Sequence, residues 1–389
     1  MPPSNGVSDE LLAARKLAPE ITRRADEFER ERVVAPEIVS AMVEAGLVEM
    51  AIPKAYGGSE SHLLDIIDVI EAISYADAST GWCLMNYQTT AFAAALMEPS
   101  GARMVFDGAE RAVPAGVLAP TGRARRVKDG LVVSGRWAFA SGCDNANWML
   151  GNVIVTDEQA QPISNADGSP QMLLPFFSRD QIRILDTWHV SGLCGSGSHD
   201  VEVSDAFVPE GRWLSLATPS YIDTPLFRFP IVSTFPPCVA AVGLGIARAA
   251  FDCFTELATA KVPFGGTTPL RERGSAQIDV SQAETLIAGS LSYIRETVNT
   301  LWETVKHGNP ASDDERRRVR LAGISAAANA ARAVDLLYNA AGATAIAQSC
   351  PLQRYFRDVH VVTQHIHVSH SGLQRMGRLL LTGELEGLL

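Results

Sequence analysis

Residues 354–370 read RYFRDVHVVTQHIHVSH, and this stretch sets the terms for the rest of the chain. An Arg357–Asp358 pair is followed by His360, His365, His367 and His370, and no carboxylate comes after Asp358 until Glu384. The stretch falls in the last of four segments with helical periodicity, at 237–261, 275–306, 313–341 and 352–382, which predict an antiparallel bundle. Small residues crowd the third segment (Ala326, Ala327, Ala330, Ala331, then 340–343). They would let helices approach closely, and they also favour helix in their own right. On one continuous helix His360, Gln364 and His367 share a stripe. His365 lies about 500° of helical rotation beyond His360, on nearly the opposite face.

Working back from the bundle, residues 112–216 change character to short runs of Val, Ile, Phe and Trp separated by Gly, Asp and Pro. This is a β region. Asp129–Gly130 predicts a two-residue hairpin turn, and the alternation of Val201 and Val203 with Glu202 and Ser204 predicts a strand with one wet face. Residues 159–170 (QAQPISNADGSP) predict an exposed loop. From Ser8 to Phe106 the pattern is helical, with Leu11, Leu12, Ala18 and Ile21 on one period, a break at 52–59 (IPKAYGGS), and Ser79 or Thr80 capping a helix to about Met97. The chain is thus expected to be α+β: an N-terminal all-helical domain over 1–111, a central β-barrel or sandwich domain over 112–224, and a C-terminal four-helix bundle over 225–389.

Composition narrows the function classes. A net charge of -11 argues against nucleic acid or an anionic membrane as partner. No apolar run reaches the roughly 18 residues of a membrane span, and the first residues do not read as a signal peptide, so a cytoplasmic protein is expected. Six cysteines without a CxxC pair predict reduced, mostly buried thiols. The histidines lack i,i+4 pairs and an HExxH pattern, so a metal site is not expected.

Three stretches carry a resemblance: 134–148 (SGRWAFASGCDNANW), 187–209 (TWHVSGLCGSGSHDVEVSDAFVP) and 354–370. Together they resemble the acyl-CoA dehydrogenase superfamily and, within it, the two-component (group D) flavin-dependent monooxygenases that hydroxylate aromatic compounds. The order of helical, β and bundle regions is that superfamily's, and the resemblance covers nearly the whole chain. It implies an oxygenase component that takes exchangeable reduced flavin, FMN or FAD, from a separate NAD(P)H:flavin reductase. With O2 it would form a C4a-hydroperoxyflavin and hydroxylate a small phenolic or indolic substrate, and family members are commonly homotetramers. Dehydrogenases of the superfamily carry a Glu base after the Arg–Asp pair or at an earlier helix start, whereas here His365 and His367 stand in the first place and residues 227–245 hold no acid.

The same resemblance assigns residues. Trp137, Phe139 and Ser141 match positions lining the flavin ring, with the Ser141 hydroxyl near its N5 edge. Trp188, Ser196 and Ser198 match a second flavin stretch, and Phe264 keeps the Phe-Gly of an element offered to a neighbouring subunit's flavin without its Arg. His365, with His367 in reserve, is the acid/base candidate, expected to titrate near neutrality and to deprotonate a phenol or indole or set the oxygen adduct's protonation; the resemblance implies a bend in this segment, so helical geometry does not choose between the two. Trp82, Asn86 and Tyr87, on the helix after residue 78, are substrate-side candidates, as is Asn145, where many of the monooxygenases have His. Cys194 departs from a common Arg. The alternatives are an acyl-CoA dehydrogenase or oxidase, an N- or S-oxygenase on the same scaffold, and a non-catalytic flavin carrier.

Overall fold

The structure, a computed structural model, describes residues 7–384. The first helix, α1 (Asp9–Glu31), starts where the Ser8 hydroxyl accepts the Leu11 amide at 3.2 Å. Its buried stripe is Leu11, Ala14, Ile21, Ala25 and Phe28, and Leu12 falls outside it, on the exposed side. After α2 (Pro36–Glu44), the helices α3 (Leu63–Ala76) and α4 (Ala78–Ala91) meet at Asp77. The cap is Asp77 and neither Ser79 nor Thr80, because its carboxylate accepts both the amide and the hydroxyl of Thr80 at 2.7 Å. Every residue of α4 is buried, and α5 (Pro99–Phe106) closes the helical region.

The central region is one seven-stranded mixed sheet. Its strands are β1 (Pro114–Val127), β2 (Gly130–Trp137), β3 (Trp148–Thr156), β4 (Met172–Ser178), β5 (Arg183–Leu185), β6 (Asp200–Pro209) and β7 (Trp213–Leu214). Their spatial order is β5-β6-β2-β1-β3-β4-β7, with β1 and β3 parallel and the other pairs antiparallel. The β1–β2 hairpin turns one residue earlier than expected. Val127 pairs with Gly130, so the loop is Lys128–Asp129, with Asp129 at φ 61°. Register shifts between Val117 and Gly122 and between Val133 and Gly135 curl the sheet around the fully buried Trp137. Val201 and Val203 face inward on β6 with Ser204 exposed, and most of residues 159–170 are exposed.

The C-terminal helices are the short α6 (Pro225–Arg228), then α7 (Ile231–Ala260), α8 (Gly274–Lys306), α9 (Asp313–Ala341), α10 (Leu352–Val362) and α11 (Ser371–Thr382). α9 opens on a full capping box between Ser312 and Glu315. α7 starts earlier than residue 237 and carries Pro236 and Pro237 inside it. Both lie beyond the first turn, so each removes one i→i−4 hydrogen bond, to the carbonyls of Val232 and Ser233. A Cβ on Gly323 of α9 would lie 2.6 Å from the Pro236 backbone, so the small residues of α9 do serve close approach to α7. The fourth long helix is not continuous, because residues 363–370 form turns between α10 and α11. α7 is long and apolar enough to cross a membrane by length and composition alone, yet 72% of that window is buried inside the protein.

Candidate active site

A cavity of about 480 Å³ opens where α4, the sheet, α7 and residues 363–370 converge. That volume suits a small organic ligand. Its walls are mostly apolar, from Met85, Leu118, Leu150, Leu174, Phe235 and Val239 among others. Among the described residues no Asp, Glu, Lys or Arg lines it, and the titratable side chains that do are His365 and His367.

One wall is built by fastening two loops to α4. Asn86 donates from Nδ2 to the Ser141 carbonyl at 2.8 Å, while its Oδ1 accepts from the Gly116 amide at 3.3 Å and the Thr90 hydroxyl at 3.2 Å. Tyr87 donates to the Gly142 carbonyl at 3.0 Å. The Ser141 hydroxyl accepts the Trp82 indole N–H at 2.9 Å and lies 2.7 Å from Ser198 Oγ, which lies 2.7 Å from Ser196 Oγ. The result is a buried row of three hydroxyls ending at the cavity on Ser141. Phe139 sits at φ 63°, 69% exposed, with its ring edge-on to Trp188 at 6.2 Å.

The Trp188 loop is held from below. His199 Nδ1 accepts the amides of Thr187 and Trp188 at 3.2 and 3.1 Å. Arg32, the left-handed C-cap of α1, donates to Asp186 at 2.6 Å and to the Trp188 carbonyl at 3.0 Å. Asp358 accepts the Leu193 amide at 2.6 Å, and Arg357 donates to the Ser191 carbonyl at 2.5 Å. Burial pushes the Asp358 carboxyl up to about 7, with the Leu193 amide opposing the shift. The Arg–Asp pair is therefore a clamp between α10 and this loop, a use the sequence did not disclose. Cys194, where an Arg was looked for, is half-buried with its thiol 3.3 Å from the Val190 carbonyl, and Arg32 and Arg357 supply the cations nearby.

At the opposite end the break after Val362 brings both imidazoles to the cavity, which no single helix could do. His365 meets Trp82 edge-on at 5.5 Å, and His367 stacks on Phe235 at 4.6 Å and 12°. Each is half-buried by surface area and lines the mostly apolar cavity, where a charge is poorly hydrated. Burial accordingly pushes His365 down to about 4, and burial, then His365, Arg320 and Arg375, push His367 down to about 3. Both shifts favour the neutral imidazole at pH 7, whereas the sequence led to an expectation of titration near neutrality. His360 lies elsewhere, with Nε2 3.0 Å from Asp335, and His370 is exposed.

The structure thus gathers Trp82, Asn86, Phe139, Ser141, Trp188, Ser198, His365 and His367 around one cavity. Others do not reach it. Trp137 is buried in the sheet, where its indole N–H donates to the Asn152 carbonyl at 2.8 Å and its ring lies on Gly122, Gly135 and Gly151. Tyr87 is fully buried on the far side of α4, and Asn145 is spent on the Val34 carbonyl at 2.8 Å. Ser196 stands behind Ser198. Phe264 is fully exposed on the loop after α7, so it serves no flavin within its own chain. Phe235 and Ile231 are lining residues that went unforeseen, because α7 was expected to begin after them. The residues present suit a planar flavin ring: the indoles of Trp82 and Trp188, the Ser141 hydroxyl, and no charged side chain among the described lining residues.

Comparison with known proteins agrees with this architecture. Residues 12–100 match the model of the acyl-CoA dehydrogenase N-terminal domain, and residues 237–370 that of the acyl-CoA dehydrogenase C-terminal domain. The chain is 32% identical over 356 residues to the indole-3-acetate monooxygenase of Pseudomonas putida, covering 92% of this chain and 89% of that protein. It is 28% identical over 360 residues to the flavin-dependent monooxygenase oxygenase subunit HsaA of Rhodococcus jostii, covering 90% and 92% respectively. The structure of XiaF from Streptomyces sp., in complex with FADH2 and glycerol, superposes with a TM-score of 0.88 at 26% identity over 97% of each chain.

Proposed function

Because this chain belongs to the acyl-CoA dehydrogenase family, and within it to the oxygenase components of flavin-dependent monooxygenases, we propose that its cavity seats a reduced flavin against a small phenolic or indolic substrate. The net reaction inserts one atom of O2 into the aromatic ring and releases the other as water. Bound reduced flavin supplies the two electrons this requires. A separate NAD(P)H:flavin reductase delivers that flavin. The observation that carries the reading is the cavity lining: among the described residues no carboxylate is in place to take an α-proton from an acyl thioester, and two imidazoles held toward the neutral form stand at one end.

The chain's own groups divide the work. Ser141 presents a hydroxyl to the flavin's polar edge, and Ser198 and the Trp82 N–H fix its position. Phe139 and Trp188 form the apolar wall beside the ring. Met85, Leu174, Phe235 and their neighbours exclude water, which keeps activated oxygen from being lost as hydrogen peroxide. His365 uses its Nδ1 lone pair on the His367 amide at 3.4 Å, so toward the substrate it offers an N–H. This favours hydrogen-bond donation over removal of a phenol proton. The chain works in the cytoplasm as a homotetramer. Supporting self-association are the exposed apolar Ile278 of α8, Phe264 after α7, and Leu380 and Leu381 of α11.

Mixing the protein anaerobically with photoreduced FMN or FAD and then admitting oxygen tests the reading. Oxidised flavin should reappear well after oxygen is consumed, and product should form when an aromatic substrate is present. Immediate return of oxidised flavin with stoichiometric hydrogen peroxide at every pH, or anaerobic turnover of an acyl thioester with an electron acceptor, would overturn it.

A further inference from the structure

His199, just before β6, touches two walls of the cavity. Its carbonyl accepts the Ala140 amide at 2.9 Å, next to Phe139, and its side chain holds the Trp188 loop. The residue is buried, at 8% exposure, and its Nδ1 lone pair takes the amides of Thr187 and Trp188 together, at 3.2 and 3.1 Å. Nδ1 can accept only while it carries no proton, so the proton of the neutral ring lies on Nε2, which faces Asp144 Oδ2 at 4.0 Å. A second partner stands close to Nδ1, because Asp186 Oδ1 is 3.7 Å away. Asp186 is bound by Arg32, whose Nη1 also donates to the Trp188 carbonyl. The other charged or titratable groups around the ring are His189, 3.6 Å from Asp186, Arg179, which acts on Asp144, and the Asp200–Arg136 pair at the start of β6.

A protonated imidazole is a donor at both nitrogens. With a proton on Nδ1, three N–H donors would converge on one point with no acceptor among them, and buried donors left unmet are costly. The Asp186 carboxylate is the acceptor within reach, and a charge-assisted bond to it is stronger than a neutral one. Taking that bond means giving up the amides of Thr187 and Trp188 and competing with Arg32 for Asp186. We propose that His199 is a positioning residue that latches Trp188 into the wall of the flavin seat while its imidazole is neutral, and that protonation turns its Nδ1 to Asp186 and releases that wall. The proposal rests on the flavin reading only in taking Trp188 as part of the seat. Arg357 and Asp358 hold the far end of the loop, at Ser191 and Leu193, so release loosens residues 186–189 and not the whole loop.

The test reads the protein first without flavin. Amide hydrogen exchange at Thr187 and Trp188, resolved by overlapping peptides and corrected for its intrinsic pH dependence, is followed from about pH 8 to about pH 5.5, roughly the span over which ordinary imidazoles change charge. Affinity for photoreduced FMN is then measured under argon by quenching of tryptophan fluorescence. In the wild-type protein, protection of the two amides and affinity for reduced FMN should both fall on the order of tenfold as the pH drops. His199→Gln, whose side-chain carbonyl accepts at every pH, should hold both level, and His199→Leu should show the lowered values already at the alkaline end. Asp186→Asn removes the alternative partner and should move the loss to lower pH. His365, His367 and Asp358 are the same in all these proteins, so their titration cancels, and the Leu193 amide serves as the control. Equal pH profiles for wild type and His199→Gln overturn the proposal, as does wild-type protection of both amides in His199→Leu. Should His199→Leu not fold, the wild-type and His199→Gln profiles decide alone. A His199-dependent change in exchange with no binding of reduced FMN at any pH overturns the flavin reading and leaves the latch standing.

Discussion

Whether Trp137 touches flavin or fills the sheet is decided by Gly151→Ala. A Cβ on Gly151 would lie 2.7 Å from Trp137 Cε2, 2.8 Å from Cζ2 and 3.1 Å from Cδ2, well inside the usual carbon contact of about 3.5–4.0 Å. The indole cannot swing aside. It is fully buried, its N–H is held by the Asn152 carbonyl at 2.8 Å, and Gly122 and Gly135 press on the same ring. Overpacking of this kind costs about 1–3 kcal/mol, against which the lower chain entropy of Ala in the unfolded state returns less than about 1 kcal/mol. Gly151→Ala should therefore destabilise the protein by roughly 2 kcal/mol, read as a shift in the urea midpoint at constant slope. Trp137→Leu alone should cost about 3–5 kcal/mol from the cavity and the unmet carbonyl. With the indole gone, the added methyl has room, so the double variant should be more stable than additivity predicts by about 1–2 kcal/mol. Additive costs, or a neutral Gly151→Ala together with lost flavin binding in Trp137→Leu, would refute the packing role and restore the indole to the flavin.

Stability should also fall with acid. His62, His365 and His367 are held by burial at about 4, 4 and 3 against 6.5 unfolded, so the unfolded chain binds protons first as pH drops, and full stability above pH 6.5 is lost by roughly 2 kcal/mol per histidine at pH 5. Asp358, raised to about 7, opposes this below pH 7, so the check is the difference between wild type and a His365→Gln/His367→Gln variant, which should show a shallower acid slope; equal slopes would refute it. Asn86→Leu strands the Ser141 carbonyl, the Gly116 amide and the Thr90 hydroxyl, and should cost roughly 2–5 kcal/mol in urea unfolding and weaken reduced-flavin binding through the Ser141 loop. An unchanged midpoint would show that the loop holds itself.

What the sequence disclosed follows from what local physics determines. α9 was legible from end to end because a capping box opens it and its interior is rich in helix formers. Trp82, Asn86 and Thr89, spaced four and three residues apart, do share the cavity face of α4, and the same spacing puts Tyr87 a hundred or so degrees away, as observed. Trp137 lies in the sheet and not at the cavity, a placement alternation along a strand does not give, because it says which residues share a face and not which face meets the cavity; the three glycines beneath the ring were the available sign. The break at 363–370 had no local signal, since neither Pro nor Gly interrupts Val361–Val362–Thr363.

That break matters most for function, because it is imposed from outside the segment. Asp358 ties α10 to the Leu193 amide, and Ile324 and Arg320 of α9 lie against Gly372 at the start of α11. Between these anchors the chain turns, and the turns bring His365 and His367, three and five residues after the end of α10, to the same cavity, where a continued helix would have set them about 200° apart. The Arg357–Asp358 pair and the histidines are therefore one device. The pair fixes α10 against the Trp188 loop, and the turns after Val362 place the imidazoles at the cavity.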